Sequence, residues 1–280
     1  MLGLFTLSVV SHQDGPQVQT LINHLASAPA GLFDKIIVTL NVPEQPPQWS
    51  NACLHVIYNL EPRGFGANHN HAFSLCNSRY FCVVNPDIEL INLQDISQDD
   101  ISSGFRFRSS QSVKAIFAAL EQVLGRARLP DVGVAYPVQC CSDGSRLDFD
   151  RPLVTPFALL ARKLKWVGNV IKKTTSHAEN VKPTVDWING AFMAFKSDIF
   201  GVVGGFDERY FMYCEDIDIC LRLQLAGYVM VEADIAVVHN PQRRTLRNVK
   251  HLLWHVSSLL RLWRSKTYWK YVNRKVKDNN

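Results

Sequence analysis

Short apolar segments rich in β-branched residues alternate with helical patterns along the first part of this chain. Such runs are typical of strands buried on both faces, and their alternation with helices favours a parallel sheet. We therefore predict an α/β fold with a mainly parallel sheet and helices on both of its faces. Ligands are expected at the carboxyl ends of the strands. The four predicted strands lie at residues 4–11, 35–41, 54–58 and 80–84.

The composition limits what kind of protein this is. Of 280 residues, 47% are hydrophobic and 20% are charged, which excludes a disordered, collagen-like or disulfide-scaffold protein. No apolar run approaches the roughly 20 residues that cross a bilayer. Residues 1–10 lack a basic region, so we interpret them as a first strand and not as a signal peptide. Seven cysteines without metal-site spacing favour a reduced, cytoplasmic protein.

The positive charge is concentrated at the end of the chain. Residues 241–280 carry eleven Lys or Arg and one Asp, whereas residues 1–240 carry 19 basic and 24 acidic residues. Leucines and Trp254, Trp263 and Trp269 interrupt the basic residues, which predicts an amphipathic helical tail. An anionic membrane surface is the favoured partner. The alternatives are a helix packed on the body with a solvated basic face, and nucleic acid, for which no recognition module is present.

Two acidic segments could carry chemistry. Asp87 follows the strand at 80–84, where a carboxylate could hold a divalent cation and, through it, a diphosphate; the alternative is a turn after proline. Asp216 opens a predicted helix at 215–226, where it could accept a proton from an attacking hydroxyl; the alternative is simple helix capping. His239, at the end of the last predicted strand, could complete a metal site, although a lone His is more often structural.

Together these motifs resemble one family. The segments Trp187-Ile188-Asn189-Gly190-Ala191, Gly204-Gly205-Phe206-Asp207-Glu208 and Tyr213-Cys214-Glu215-Asp216-Ile217-Asp218, followed by a strand-end His, are similar to the signature of family-2 inverting glycosyltransferases, especially bacterial rhamnosyltransferase-like members. Upstream, Val9-Val10-Ser11, Gly64-Phe65-Gly66 with two asparagines, and Asn85-Pro86-Asp87 also match. The resemblance covers roughly residues 4–240. It implies a GT-A catalytic domain at residues 1–240, with a Rossmann-like mixed, mostly parallel sheet flanked by helices. The tail at residues 241–280 follows it.

The resemblance also implies a role for each site residue. Asp216 would be the general base, and Asp87 and His239 would bind Mg²⁺ or Mn²⁺. The nucleotide-sugar donor would contact Ser11, His12, Asn41, Arg63, Gly64, Asn70, Asn85 and Asp87. The acceptor and sugar pocket would contain Trp187, Asn189, Gly190, Glu215 and Asp218, with core packing as the alternative for Trp187.

Two departures from the family pattern affect the donor. Leu40-Asn41 stands where many relatives have an Asp that binds the nucleobase, and Asn85-Pro86-Asp87 lacks one carboxylate of the usual Asp-x-Asp motif. We expect metal-dependent, inverting transfer of L-rhamnose from dTDP-L-rhamnose to a lipid-linked saccharide, in O-antigen-type polysaccharide synthesis at the inner face of the cytoplasmic membrane. The alternatives are a UDP-sugar donor, or an inactive GT-A-like binding module in a membrane-associated assembly.

Overall fold

A computed structural model describes residues 3–90, 112–126, 131–156, 185–239 and 249–278. Apart from their end residues 112 and 156, three segments from the sequence analysis lie outside these ranges. They are the polar stretches at 96–112 and 174–183 and the helix predicted at 156–173.

The first part of the chain alternates strands and helices as predicted. Helix α1 begins earlier than its apolar spacing indicated, because Pro16 is favourable in a first helical turn. The elements are β1 (Phe5–Ser11), α1 (Gly15–Leu25), β2 (Phe33–Leu40), β3 (Leu54–Tyr58), α2 (Phe65–Phe73), β4 (Tyr80–Val84) and β5 (Ile88–Glu89).

The second part adds strands to the same sheet. The predicted strand at 132–140 is present, and residues 229–239 form one strand. The elements are α3 (Val113–Leu124), β6 (Val132–Cys140), β7 (Asp150–Arg151), β8 (Trp187–Ile188), β9 (Phe192–Lys196), α4 (Ser197–Val202), α5 (Glu215–Leu225) and β10 (Val229–His239).

Eight strands form the main sheet in the order β3-β2-β1-β4-β9-β6-β10-β5. Strands β1 to β4 run parallel, and β6 runs parallel to β10; β9 is antiparallel to both β4 and β6, and β5 is antiparallel to β10. The prediction of a mixed, mostly parallel sheet is therefore confirmed. Because β9 reverses direction between β4 and β6, the carboxyl ends of β1, β4, β6 and β10 all lie at one edge.

Each face of the sheet carries its own apolar core. Helices α1 and α3 cover one face with residues such as Leu21 and Phe117. Helices α4 and α5 cover the other with residues such as Phe200 and Leu221. Burying side chains of this size is the main favourable term in folding, at about 1.5–3 kcal/mol each.

The tail forms two helices, α6 (Val249–Arg264) and α7 (Lys266–Asp278), which pack on the second face. Leu262 and Tyr268 are fully buried there. Ser258 donates a hydrogen bond to the carbonyl of Met212 at 2.8 Å. The packed-helix alternative thus describes one face of the tail. Across the described ranges, no helix combines the length and apolar character needed to cross a bilayer.

A buried carboxylate fastens the tail to the body. Asp186 accepts hydrogen bonds from the Tyr271 hydroxyl at 2.7 Å and from the Leu153 amide at 2.7 Å. Lys275 Nζ lies 2.6 and 2.7 Å from its two carboxylate oxygens. The carboxylate is 2% exposed, so each of these donors offsets part of the cost of its burial.

Tyr271→Phe is expected to lower the free energy of unfolding by about 1–3 kcal/mol, because it removes a hydrogen bond to a buried charged group. Urea unfolding measures the change. Tyr58→Phe is the matched control, since Tyr58 is 64% exposed. An equal effect of the two substitutions would show that the Tyr271 hydroxyl does not anchor the tail.

Candidate active site

A cavity of about 380 Å³ opens at the carboxyl edge of the sheet. Strand ends, the start of α5 and the tail helix α6 all contribute to its wall. The predicted site residues that line it are His12, Asn41, Arg63, Asn85, Asp87, Asn189, Gly190, Glu215, Asp216 and His239.

The acidic start of α5 is held by an unusual turn. Tyr213 and Cys214 have φ angles of 72° and 65°, in the left-handed region that non-glycine residues rarely adopt. Such conformations cost of order 1–3 kcal/mol and cluster at functional sites. The turn places Glu215 and Asp216 at the cavity, where Asp216 Oδ2 accepts a hydrogen bond from the Gly190 amide at 3.2 Å.

Burial governs the acidity of this pair. It raises the pKa of Asp216, while the amides of Ile217 and Gly190 and the charge of Arg151 act in the opposite direction. Burial also raises the pKa of Glu215, and the negative charge of Asp216 raises it further. A carboxylate with a raised pKa is a stronger proton acceptor, which is the property that a general base needs.

Asp87 and His239 lie next to each other in the lining of the same cavity. Strand β5 pairs with β10 so that Ile88 lies opposite His239, and this brings His239 Nε2 to 3.5 Å from Asp87 Oδ1. That oxygen is buried and makes no hydrogen bond within the described part of the chain. A carboxylate oxygen without a donor beside an imidazole nitrogen fits a divalent cation.

The protein supplies only part of a coordination shell at this place. No group of three or more His, Cys, Asp or Glu residues suited to a metal ion occurs in the ranges that the structure describes. Mg²⁺ commonly binds one or two protein carboxylates together with substrate phosphates. The pair is therefore suited to a cation that arrives with a diphosphate.

Gln139 is a buried polar residue that the sequence analysis did not single out. Its Oε1 lies 2.9 Å from His239 Nδ1. Its amide also pairs with that of Asn189, at 2.7 and 3.0 Å. The signal in the sequence is one glutamine near the end of the otherwise apolar strand at 132–140.

Two predicted donor-side residues hold the cavity wall together. Asn41 accepts a hydrogen bond from the Arg63 amide at 2.8 Å and donates one to the Arg63 carbonyl at 3.0 Å. Gly64 allows a close approach, since a Cβ there would lie 2.8 Å from the Phe211 carbonyl oxygen. Gly64 itself does not line the cavity.

Four other predicted residues do not line the cavity. Ser11 is fully buried and donates to Glu44 at 2.8 Å. Asn70 bridges the amide and carbonyl of Phe206 at 2.9 and 2.8 Å.

The remaining two have structural partners. Trp187 donates to the Pro152 carbonyl at 3.0 Å, with Arg151 over its ring at 5.2 Å. Asp218 forms an ion pair with Arg222 at 2.7 Å. Core packing, the alternative for Trp187, describes its surroundings.

The tail contributes to the cavity, which the sequence analysis did not foresee. His251 and Trp254, on one face of α6, line it. The Tyr213 hydroxyl lies 2.9 Å from His251 Nδ1, and the Trp254 ring lies 4.8 Å from that of Phe211. Their three-residue spacing was the only signal in the sequence.

The fold defines the class of protein. Solved structures that share it include the mannosyltransferase PcManGT from Pyrobaculum calidifontis, in complex with GDP-Man and Mn²⁺, and S. aureus TarS 1–349 in complex with UDP-GlcNAc. The match to the first has a TM-score of 0.52 at 16% identity, and it covers 93% of this chain and 65% of that protein. The second has a TM-score of 0.55 at 11% identity and covers 98% of this chain and 72% of that protein. The chain thus has the GT-A fold of glycosyltransferases.

Sequence comparison identifies the family, although no family model matches the chain. Rhamnosyltransferase WbbL of Escherichia coli K12 is 32% identical over 211 residues, or 71% of this chain and 69% of that protein. An N-acetylglucosaminyl-diphospho-decaprenol L-rhamnosyltransferase of Mycobacterium tuberculosis is 40% identical over 90 residues, or 30% of this chain and 29% of that protein. The chain belongs to the family-2 inverting glycosyltransferases, among the bacterial rhamnosyltransferase-like members, and it is an enzyme of that kind.

Proposed function

We propose that the chain transfers L-rhamnose from dTDP-L-rhamnose to a lipid-linked saccharide during synthesis of a bacterial surface polysaccharide of the O-antigen type. The observation that carries this proposal is that Asp216, Asp87 and His239 line the same cavity. The two relatives named rhamnosyltransferases support the sugar. The diphospho-decaprenol in the name of the mycobacterial relative supports a lipid-linked acceptor.

The reaction is a single displacement at the anomeric carbon. Asp216 takes the proton of the acceptor hydroxyl while the oxygen of that hydroxyl bonds to the anomeric carbon. The bond from that carbon to the diphosphate oxygen breaks, and the nucleoside diphosphate leaves with the electron pair. Attack from the opposite face inverts the anomeric configuration. Gly190 supports the base by donating its backbone N–H to Asp216.

Asp87 and His239 would hold Mg²⁺ or Mn²⁺ at the diphosphate end of the cavity. When bound, the cation supplies positive charge to the leaving diphosphate. Arg63 and His12, which line the same cavity, add donors for the phosphates, and Asn85 also lines it. Asn189 and Gly190 border the space for the sugar.

Transfer assays with matched donors test this function. Purified enzyme is given dTDP-L-rhamnose or a UDP-sugar, with a lipid-linked saccharide and with Mn²⁺, Mg²⁺ or chelator, and NMR gives the anomeric configuration of the product. Inverted product from dTDP-L-rhamnose, lost with chelator, is the expected result. Product only from UDP-sugars would keep the mechanism and overturn the rhamnose assignment. A retained configuration would overturn the mechanism.

The outer face of α6 supports association with the inner face of the cytoplasmic membrane. Its inner face packs on the body through Ser258 and Leu262, while the opposite face carries an apolar stripe at helical spacing. A contiguous exposed apolar stripe with basic neighbours suits an anionic lipid surface. The stripe comprises Val249, Leu252, Leu253, Val256 and Leu260, which are 43% to 73% exposed, and Lys250, Arg261 and Arg264 belong to the same helix.

Leu253→Glu combined with Val256→Glu is expected to weaken binding to phosphatidylglycerol vesicles at least about tenfold, because each apolar side chain contributes about 1.5–3 kcal/mol on burial. Vesicle sedimentation measures the change. The control pair is Leu60→Glu with Val202→Glu, which alters exposed Leu and Val residues elsewhere and adds the same charge. Equal losses in both pairs would assign the binding to overall charge and refute the role of the stripe.

A further inference from the structure

A series of three hydrogen bonds leads from the backbone of Ala191 to the ring of His239, and the last of them is buried. The Ala191 amide lies 3.3 Å from Asn189 Oδ1, and Gln139 Nε2 lies 2.7 Å from the same oxygen. Gln139 Oε1 then lies 2.9 Å from His239 Nδ1. Gln139 is 1% exposed and His239 is 6% exposed.

The Ala191 amide, at the start of this series of hydrogen bonds, fixes which atom donates and which accepts in each of them. An amide N–H can only donate, so the Asn189 atom facing Ala191 must be the oxygen. Gln139 must then present its NH₂ group to that oxygen and its own oxygen to His239. A simultaneous flip of both side-chain amides would preserve their mutual pair but would place two donors against each other at Ala191.

The tautomer of His239 follows from this order. Because Gln139 Oε1 can only accept, the proton of the neutral imidazole lies on Nδ1. The lone pair therefore lies on Nε2, the nitrogen that faces Asp87 Oδ1 at 3.5 Å. Metal-binding histidines usually have their other ring nitrogen held in this way.

We propose that Gln139 is a positioning residue that holds His239 as the Nδ1–H tautomer and so presents Nε2 beside Asp87 to the cation that accompanies the donor diphosphate. The inference rests on the proposed function for the identity of that cation. Gln139 also joins this ligand to Asn189, so the orientation of the imidazole and that of a sugar-pocket amide are set together.

Nitrogen NMR of the histidine rings tests the tautomer directly in the metal-free protein, with His239→Gln identifying the signal. The Nδ1–H form is expected in the parent, and a mixture of both tautomers in Gln139→Met. An Nε2–H tautomer in the parent would overturn the proposal, whatever the enzyme transfers.

Binding of Mn²⁺ in the presence of dTDP or UDP, followed by electron paramagnetic resonance, tests the consequence. Gln139→Met should weaken Mn²⁺ binding about 10–100-fold. Gln139→Glu should lose less affinity than Gln139→Met, because its carboxylate still accepts from Nδ1–H although it can no longer donate to Asn189 Oδ1. Gln45→Met, at an exposed loop position, is the control for adding a methionine.

The outcomes separate this inference from the proposed function. A parent that binds no Mn²⁺ with any nucleotide refutes cation-dependent transfer, and the tautomer measurement still decides the role of Gln139. Unchanged Mn²⁺ affinity in a folded Gln139→Met overturns the positioning role. If that variant does not fold, the tautomer in the parent decides: the Nδ1–H form supports the proposal and the Nε2–H form overturns it.

Discussion

Asp216→Asn is expected to lower the rate of sugar transfer by about 10²–10⁴-fold, the usual contribution of a positioned general base. The amide keeps the shape of the side chain and can still accept from the Gly190 amide, but it cannot take a proton. Donor affinity should stay within a few-fold, because the diphosphate end of the cavity is unchanged. Single-turnover transfer and donor titration measure the two quantities separately.

Two neighbouring acids serve as comparators. Glu215→Gln tests the adjacent carboxyl, whose Oε2 is buried without a hydrogen bond among the described residues. Asp218→Asn tests the acid paired with Arg222. A larger loss of transfer in Glu215→Gln, with near-parent transfer in Asp216→Asn, would move the base to Glu215.

The pH profile gives an independent view of the same base. Burial raises the pKa of Asp216, and only its deprotonated form accepts a proton. The parent kcat/KM should therefore fall as the pH is lowered through that raised pKa, at a pH above the range of an ordinary exposed Asp. Asp216→Asn should lose this limb of the profile.

Asp87→Ala is expected to abolish the cation-dependent part of nucleoside diphosphate binding, a loss of at least about 10²-fold. Substituting a residue that only hydrogen-bonds to a metal ligand already lowers metal affinity about 10–100-fold. The Asp87→Ala substitution removes the ligand itself. His239 alone would then have to hold the cation. Calorimetric titration of the nucleotide with Mn²⁺ and with chelator measures the difference.

Glu89→Ala is the matched control for Asp87→Ala. It removes an acid two residues further along the chain that does not line the cavity. Its affinities should match those of the parent with and without Mn²⁺. Equal nucleotide affinity with and without chelator in the parent would refute a cation at Asp87.

Sequence patterns predicted those cavity residues that stand at the end of a strand or at the start of a helix. Asp87 follows β4 and His239 ends β10, and parallel strands bring such ends to one edge. The start of α5 at Glu215 was likewise visible in the sequence. This much follows from periodicity and from the family motifs.

The direction of individual side chains could not be predicted in this way. Ser11 and Asn70 lie in matching motifs, yet their polar groups bind Glu44 and Phe206. Gln139 reaches His239 only because β6 and β10 pair in a particular register. Trp254 enters the cavity only because α6 packs on the second face. Each of these outcomes depends on contacts between segments distant in sequence.

The reversed strand β9 determines how this enzyme can be assembled during synthesis. Strand β4, fully buried and apolar, forms one border of the β3-β2-β1-β4 group until residues 192–196 arrive to pair with it. A nascent chain or fragment that ends before residue 192 therefore has an open, adhesive strand edge, which is a template for aggregation. Truncated chains that end before residue 192 are therefore expected to be poorly soluble.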